Sequence, residues 1–419
     1  MITVIVILKK EGNLAKDEIV SSLDIGTTKI CAVVSAVSEE GEVEVLGYGS
    51  RPASGGLRKG VIIHLDNTVG AIEDAVEQAE KMSGQRIKNV ITSVGGIYLK
   101  GMPSDGHRSI SRGNKEITKA DINAVIEAAC ELSIPLDQEI FYISPQEYIV
   151  DGHDGVKEPP LGLIGENLGI RVMLFMGAIT SMQNIIKSIN SAGLRVRSTV
   201  PGPLASSLAV LAEDEINSGV ALVDMGGGTT SIAVFVKGYV IHTCVLGLGG
   251  EQVTGDIAVG VRSSPEVAEK LKKEHGRAIS AMAQEGEMDV PGLGGRGGHT
   301  VSKLVLCEII QARLEEIFEL VRAEIKKTGY EDMLSAGVVL TGGVANTDGL
   351  VDLAGNMLRM PVRIGKASGI TAAAEGSAVS DPSFSVAAGL LMQSKLRGVP
   401  IFGKGGVFEG FRKWWQNFF

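Results

Sequence analysis

The sequence contains little of what marks several common classes of protein. Cysteine occurs only four times in 419 residues, and no pair has the CxxC spacing of zinc-binding or redox motifs. In the six scattered histidines we find no HxxxH pair and no His/Cys cluster, so we do not expect a structural zinc ion. Four widely separated thiols are typical of a reduced, cytosolic protein.

Positive charge and long apolar runs are also missing. The net charge is −9, and no basic stripe interleaved with aromatic residues is present, so we do not expect nucleic acid as a partner. No apolar run reaches the roughly twenty residues of a membrane-spanning helix. Residues 1–8 are apolar but lack the basic segment and cleavage site of a secretory signal, and they predict an edge strand instead.

Glycine is abundant, at 55 residues, and one glycine turn dominates the interpretation. Asp224–Ser231 lies between the apolar runs Gly219–Val223 and Ile232–Val236, which predicts strand, tight turn, strand. Glycines let the backbone approach a ligand closely, and successive amide groups in such a turn form a concavity that binds anions. The aspartate that ends the first strand can orient a hydrated Mg²⁺ ion.

A second copy of this pattern occurs earlier in the chain. Ile19–Leu23 leads into Asp24–Lys29, and Ile30–Val34 follows. A single glycine hairpin is usually only a turn, but two copies indicate an internal duplication. Two hairpins from two related halves could face each other and clamp a nucleoside polyphosphate.

The remaining patterns predict an α/β protein with more than one lobe. A helix at 66–83 ends at Gly84, and further glycine turns occur at 246–254, where a helix begins, and at 338–346. Residues 86–165 differ in character and predict an inserted α+β block, with a capping box at Thr118.

The segment 407–419 is unusually aromatic. On a helix turning about 100° per residue, its aromatic residues fall on one face and its polar residues on the other. The side chains that would contact a membrane are Phe408, Phe411, Trp414, Trp415, Phe418 and Phe419. We interpret it as an amphipathic membrane-surface helix, tethered by a linker at 396–406. A terminal helix docked on the core is the alternative.

These motifs resemble those of the actin, sugar-kinase and DnaK-type ATPase superfamily. The two hairpins, the turn Thr341–Asn346 and two interdomain helices carry that resemblance. The length, the insert, the turn Gly249–Glu251 and the aromatic tail are similar to the FtsA family of bacterial cell-division proteins. The resemblance implies an α/β, actin-like two-lobe fold of duplicated ribonuclease-H-like domains, with an inserted α+β subdomain (1C) and a C-terminal amphipathic helix.

The resemblance also implies how the chain divides into subdomains. The implied ranges are 1–85 with 166–205 and 383–395 for subdomain 1A, 86–165 for 1C, 206–245 with 328–382 for 2A, 246–327 for 2B, 396–406 for the linker and 407–419 for the helix.

The resemblance also implies ATP and Mg²⁺ in a cleft between the lobes. Asp24 and Asp224 would position the waters of Mg²⁺ and the attacking water. The implied nucleotide-binding residues are Gly26, Thr27, Thr28 and Lys29 from the first hairpin, Gly226, Gly227, Gly228 and Thr229 from the second, Gly250 and Glu251 near the ribose, Glu269 and Lys272 beside the adenine, and Gly342, Gly343 and Asn346 over the base and ribose.

Members of the family polymerise head to tail on the inner face of the cytoplasmic membrane, with 1C in the filament contacts. They tether filaments of the tubulin-like protein FtsZ at the division septum and recruit later divisome proteins. Because the C-terminal peptide of FtsZ is acidic, its implied site needs cationic groups, and we expect it at Arg296, Ser302 and Lys303.

One position departs from the actin pattern. Actin-like filaments carry a glutamine at the start of the first interdomain helix, where it orients the attacking water. The matching place here, Thr199–Pro203, has none, so we expect tight ATP binding and slow turnover. Alternatives within the superfamily are a sugar or acetate kinase, a chaperone-like ATPase and a PilM-like pilus-assembly ATPase. The aromatic tail argues against the kinase and the PilM-like protein, and we expect no chaperone because no substrate-binding domain follows residue 400.

Overall fold

The structure, a computed structural model, describes residues 18–38, 40–110, 113–292, 297–372, 378–393 and 399–400. The predicted edge strand at 1–8, the predicted binding residue Arg296 and the predicted helix at 407–419 lie outside these residues. So does the predicted linker, apart from Val399–Pro400, which forms a short strand rather than a structureless tether.

Strands and helices alternate along the chain. The first half contains β1 (Glu18–Ile25), β2 (Lys29–Val37), β3 (Val43–Pro52), β4 (Leu57–Arg58), β5 (Val61–Ile62), α1 (Leu65–Ser83), β6 (Asn89–Val94), β7 (Lys100–Ser109), α2 (Lys119–Cys130), β8 (Gln138–Val150), β9 (His153–Val156), β10 (Asn167–Ala178), α3 (Ile179–Ser191), β11 (Arg195–Pro201) and α4 (Gly202–Val210). The second half contains α5 (Glu213–Ser218), β12 (Val220–Met225), β13 (Thr230–Val236), β14 (Tyr239–Leu246), α6 (Gly250–Gly260), α7 (Pro265–His275), β15 (Glu287–Val290), β16 (His299–Ser302), α8 (Lys303–Lys327), β17 (Val338–Thr341), α9 (Leu350–Leu358), β18 (Val362–Ile364), β19 (Ile370–Ala372), α10 (Ser385–Leu391) and β20 (Val399–Pro400).

Two sheets share one topology. The first has the order β11-β6-β1-β2-β3-β19, and the second has the order β14-β13-β12-β17-β18. Read in the reverse direction, the second sheet has the order β18-β17-β12-β13-β14. These five strands correspond in turn to β11-β6-β1-β2-β3 of the first sheet. In each, the glycine hairpin pairs antiparallel, and a later strand pairs parallel with the first strand of that hairpin. The expected α/β fold with a duplicated core is confirmed.

The core lies between and around these sheets. Strand β12 is buried along its whole length, as is typical of a strand covered on both faces. Helices α4 and α10 pack together beneath both sheets, and one hydrophobic cluster joins residues of the two sheets to these helices. At their crossing, a Cβ atom on Gly389 would lie 1.7 Å from the carbonyl oxygen of Ala205, so the helices approach to backbone contact.

The inserted block forms a separate sheet with the order β20-β8-β10-β7, and α2 packs against it. Its predicted bounds, 86–165, are wrong at both ends. Strand β6 pairs with β1 in the first lobe, whereas β10 pairs with β7 and β8 in the insert. The insert therefore begins after Val94 and continues through Ala178. An apolar run predicts a strand, but the strand that it pairs with decides which sheet it joins.

Other boundaries differ as well. Strand β19 was expected in subdomain 2A but pairs with β3 in the first lobe. The glycine-rich segment 286–298 contains β15, which pairs with β16. The first interdomain helix begins at Gly202, because the residues through Pro201 extend β11 beside β6.

The predicted helix ends agree with the structure at two points. Gly84 ends α1 in the left-handed conformation, with a φ of 67°. Thr118 starts α2 with a capping box, in which Asp121 accepts a hydrogen bond of 2.9 Å from the Thr118 amide. Among the described residues, no helix has the length and apolar character needed to cross a bilayer.

Candidate functional site

A cavity of about 650 Å³ lies between the two lobes. The predicted site residues that line it are Asp24, Gly26, Thr27, Thr28, Lys29, Asp224, Gly226, Gly227, Thr229, Gly250, Glu251, Glu269, Lys272, Gly342, Gly343 and Asn346. Gly228 is the one predicted nucleotide-binding residue outside this lining. The fold thus gathers segments from across the chain at one cleft.

The two glycine hairpins meet across this cavity. Each turn is closed by the same backbone hydrogen bond, from the amide of Gly26 to the carbonyl of Lys29 (3.0 Å) and from that of Gly226 to that of Thr229 (2.8 Å). The duplication therefore extends to the geometry of the turns.

Glycine is needed where the hairpins touch. A Cβ atom on Gly227 would lie 2.3 Å from Cγ2 of Thr28, and one on Gly228 would lie 2.6 Å from Cγ2 of Thr27. Any larger residue would push the hairpins apart. The lack of a side chain at Gly228 thus permits the contact between the lobes, and phosphate binding by its amide stays a prediction.

Two carboxylates face the same cavity. The Ser93 hydroxyl donates a hydrogen bond of 2.8 Å to Asp24, and burial raises the pKa of Asp24 above its usual value. Burial and repulsion from Asp24 raise the pKa of Asp224 to about 7, against the opposing effects of a hydrogen bond from Ser206 and the charge of Lys29. A cation between the two carboxylates would stabilise their charged forms.

Lys29 is bound to a segment that the sequence did not single out. Its ammonium donates hydrogen bonds to the carbonyl oxygen of Ser383 (2.8 Å) and to Oγ of Ser383 (2.9 Å), and it lies 3.6 Å from the centre of the Phe384 ring. The first hairpin is therefore tied to the turn that leads into α10.

The third glycine turn packs directly behind the second hairpin. Gly342 has a φ of 85°, and a Cβ atom there would lie 2.5 Å from Oδ1 of Asp224. Both the backbone conformation and the space require glycine. Asn346 donates hydrogen bonds of 3.1 Å to both carboxylate oxygens of Asp381, so this turn too is linked to the segment before α10.

The opposite wall comes from α6 and α7. The amide of Gly250 donates to the carbonyl of Gly226 (3.0 Å), which docks the start of α6 on the second hairpin. On α7, the ammonium of Lys272 lies 2.6 Å from Oε2 of Glu269 and 3.0 Å from the carbonyl oxygen of Gly250. Burial, with the nearby charge of Glu269, raises the pKa of Glu251. These predicted residues form one connected group.

The expected partner-binding residues lie elsewhere. Ser302 caps the start of α8, where its hydroxyl accepts a hydrogen bond of 3.2 Å from the Leu304 amide. Lys303 follows it, and neither residue lines the cleft. The adjacent side chains of Leu304 and Val305 are exposed to solvent.

Sequence reasoning missed Ser93, Ser206, Asp381 and Ser383, which hold the predicted residues in place. Ser206 lies on the predicted interdomain helix, one turn after Gly202, and that position offered a signal. Asp381 and Ser383 offered none, because single polar residues beside a proline are common in ordinary turns.

Comparison with known proteins identifies the family. Residues 221–389 match the family described as "Cell division protein FtsA", and residues 96–176 match the "SHS2 domain inserted in FTSA". The second match coincides with the inserted sheet as observed. Among curated relatives, cell division protein FtsA of Pseudomonas aeruginosa is 37% identical, covering 97% of this chain and 100% of the relative. That of Neisseria meningitidis is 40% identical (96% and 98%), and that of Escherichia coli is 35% identical (90% and 90%).

Solved structures show the same fold at low identity. The PilM–PilN type IV pilus biogenesis complex contains a chain with a TM-score of 0.65 at 16% identity, covering 89% of this chain and 98% of that one. MreB5 of Spiroplasma citri bound to ADP gives 0.53 at 15% identity, covering 90% and 96%. These likenesses confirm the actin-like ATPase fold, and the sequence relatives decide the family. This chain is an actin-like cell-division protein and belongs to the FtsA family.

Proposed function

We propose that this chain binds ATP with Mg²⁺ in the cleft between its lobes, and that the nucleotide sets lobe closure and polymerisation. The observation that carries this proposal is the meeting of two glycine hairpins, one from each lobe, across a cavity lined by both. Its volume of about 650 Å³ lies within the usual range of ligand pockets.

The hairpins would hold the phosphates. Backbone amides of Gly26–Thr28 and Gly226–Thr229 form the two sides of the clamp, as glycine-rich turns do for anions. Lys29 lines the same cavity. Exchange of its bonds to Ser383 for a phosphate oxygen would connect nucleotide binding to the turn before α10.

Mg²⁺ fits the donors present. Asp24 and Asp224 supply carboxylate oxygens, and because burial raises the pKa of both groups, a bound cation would favour their charged forms. When bound, Mg²⁺ neutralises phosphate charge. In the absence of the ion, burial raises the pKa of Asp224 to about 7. Bound Mg²⁺ would keep its carboxylate charged, so that it can accept a hydrogen bond from a water. Turnover is expected to be slow.

The adenosine would lie between α7 and the third glycine turn. Gly250 and Glu251 would approach from the ribose side, and the ion pair of Glu269 with Lys272, which lines the cavity, would border the adenine. The residues that would cover the base from the other side are Gly342, Gly343 and Asn346.

The larger role that we propose is a cell-division scaffold. The chain would polymerise head to tail through its insert on the inner face of the cytoplasmic membrane, as a peripheral membrane protein at the septum. The aromatic face of 407–419 would anchor it, and the chain would recruit FtsZ and later divisome proteins. Family membership and the aromatic composition of the tail support this role.

For the acidic C-terminal peptide of FtsZ, we keep the proposed site at Arg296, Ser302 and Lys303. The positive charge of Lys303 and the exposed apolar side chains of Leu304 and Val305 support it. A peptide with acidic and apolar residues would find both kinds of partner at the start of α8.

The nucleotide site can be tested with a pair of matched variants on α7. Lys272→Met removes the ammonium that lines the cavity, and Lys270→Met removes an exposed one on the same helix. We expect the dissociation constant for ATP with Mg²⁺, measured by calorimetry, to rise roughly tenfold in the first variant, a loss of about 1.4 kcal/mol. Lys270→Met should match the intact chain.

Equal affinities in both variants would contradict the proposed site. Phosphate release that depends on an added sugar would favour the kinase alternative instead.

A further inference from the structure

A second group of metal-ligating side chains lies away from the nucleotide cleft. His242 and Cys244 lie on β14, two residues apart, so both side chains point to the same face of the sheet. That face packs against α8, which contributes Glu324. One donor atom from each of the three residues lies within 4.8 Å of the other two. None of the three lines the cleft.

Hydrogen bonding within this group is weak. Nε2 of His242 is buried and lies 3.4 Å from Oε2 of Glu324 without good hydrogen-bond geometry. A buried ring nitrogen that is poorly paired costs free energy, which a metal bond would offset. The other oxygen of Glu324 is paired with Lys327, which leaves Oε2 directed to the group.

The three donors form a set that zinc prefers. A thiolate, an imidazole and a carboxylate are its usual protein ligands, and zinc bonds of about 2.0–2.3 Å place neighbouring donors roughly 3.3–3.8 Å apart. Donors already within 4.8 Å reach that spacing through side-chain shifts of about 1 Å. Because the set includes sulfur and nitrogen, it favours zinc over Mg²⁺, which prefers oxygen.

We propose that His242, Cys244 and Glu324 bind one Zn²⁺ ion that fastens the edge strand β14 to α8 in the second lobe. The site holds three protein ligands and leaves a fourth position for water. Zinc was not expected from the sequence, because His-x-Cys supplies only two ligands and the third lies on a distant helix.

The location gives the ion a structural role at a contact between lobes. On the other face of β14, a Cβ atom on Gly101 of the insert would lie 2.3 Å from Cγ2 of Thr243. Gln146 of the insert donates a hydrogen bond of 2.5 Å to the carbonyl oxygen of Val240. Bound zinc would therefore stiffen the strand against which the insert rests.

Cobalt absorption tests the site in the full-length, tag-free chain without nucleotide. After dialysis against a chelator, the chain is titrated with Co²⁺, whose bond to a thiolate gives a charge-transfer band. We expect one equivalent to bind with this band and with the visible bands of tetrahedral cobalt. One equivalent of Zn²⁺ should then displace it and raise the melting temperature.

Two cysteine variants distinguish this site from other thiols. Cys244→Ser should lose the charge-transfer band, whereas Cys307→Ser, which removes a buried thiol elsewhere in the second lobe, should keep it. Glu324→Gln should weaken zinc binding at least tenfold and keeps the proposal testable if Cys244→Ser does not fold. A band that survives in Cys244→Ser, zinc affinity unchanged in Glu324→Gln, or no band in the intact chain overturns the proposal.

Discussion

Asp24 and Asp224 bring two carboxylates to one cavity, and this affects how stability depends on pH. Burial and repulsion from Asp24 raise the pKa of Asp224 from 3.8 to about 7. The folded chain therefore holds a proton on Asp224 more tightly than the unfolded chain does. The stabilising contribution is complete below about pH 4 and is lost as the pH rises through about 7.

Removal of this charge should stabilise the protein in the absence of nucleotide and metal. At about pH 8, we expect Asp224→Asn to raise the free energy of unfolding by an amount on the order of 1–4 kcal/mol, measured with urea. The difference from the intact chain should shrink as the pH falls toward 4. Asp352→Asn, at an exposed position on α9, is the control. The same pH dependence in all three chains would argue against a strained carboxylate at 224.

At the scale of single residues, the sequence predicts the site residues that lie together in short motifs. Asp24, Asp224 and the glycines beside them belong to short motifs, and the repetition of those motifs predicts that they meet at one cleft. Ser383 and Asp381 contact Lys29 and Asn346 only because the chain returns to the cleft after a long excursion. No local pattern of residue types encodes that return.

Among the elements, the crossing of α4 and α10 is the tightest contact. Gly389 lies where a Cβ atom would stand 1.7 Å from the carbonyl oxygen of Ala205, too close for any side chain. Because both helices are buried beneath the two sheets, a shift of either would disturb the position of one lobe on the other. Gly255 on α6 is also helical, but a Cβ atom there would meet nothing within 4 Å.

The same substitution should therefore have opposite effects at the two positions. We expect Gly389→Ala to lower the free energy of unfolding by about 1–3 kcal/mol or more, because the crossing becomes overpacked. Gly255→Ala should raise it by up to about 1 kcal/mol, because alanine favours the helix. Denaturant unfolding of both variants measures this. Equal effects would mean that the helices do not cross in backbone contact.

Whether a segment forms a helix or a strand was easier to predict than which sheet or subdomain it joins. Residues 89–94 lie within the predicted insert but form β6 in the first lobe, whereas β10 lies outside the predicted bounds but belongs to the insert. Apolar alternation and β-branched residues report that a segment is extended. The partner strand depends on contacts between segments far apart in the sequence, so the insert's limits required the structure.

For the whole molecule, the duplication was the most informative signal. Two hairpins with the same order of residues predicted two lobes and a cleft between them, and both are present. The contact of the insert with the second lobe, where Gln146 bonds Val240, was not predictable from any motif. This contact links the insert, which we propose to form filament contacts, to the lobe that would move on nucleotide binding.

We propose that one chain both binds ATP in its cleft and attaches to the membrane through residues 407–419. Co-sedimentation with anionic liposomes, in ATP and Mg²⁺, tests it by comparing the intact chain with one that ends at Gly406. A matched pair of tail variants refines the test. Trp414→Glu adds a negative charge to the aromatic face, and Gln416→Glu adds the same charge to the polar face.

We predict that the intact chain and Gln416→Glu pellet with the vesicles, and that the truncated chain and Trp414→Glu stay in the supernatant. All four should still bind ATP, since the described residues that line the cleft are unchanged in each of them. If the intact chain binds ATP but stays in the supernatant with the truncated one, 407–419 is not a membrane anchor, and the proposed membrane scaffold is wrong.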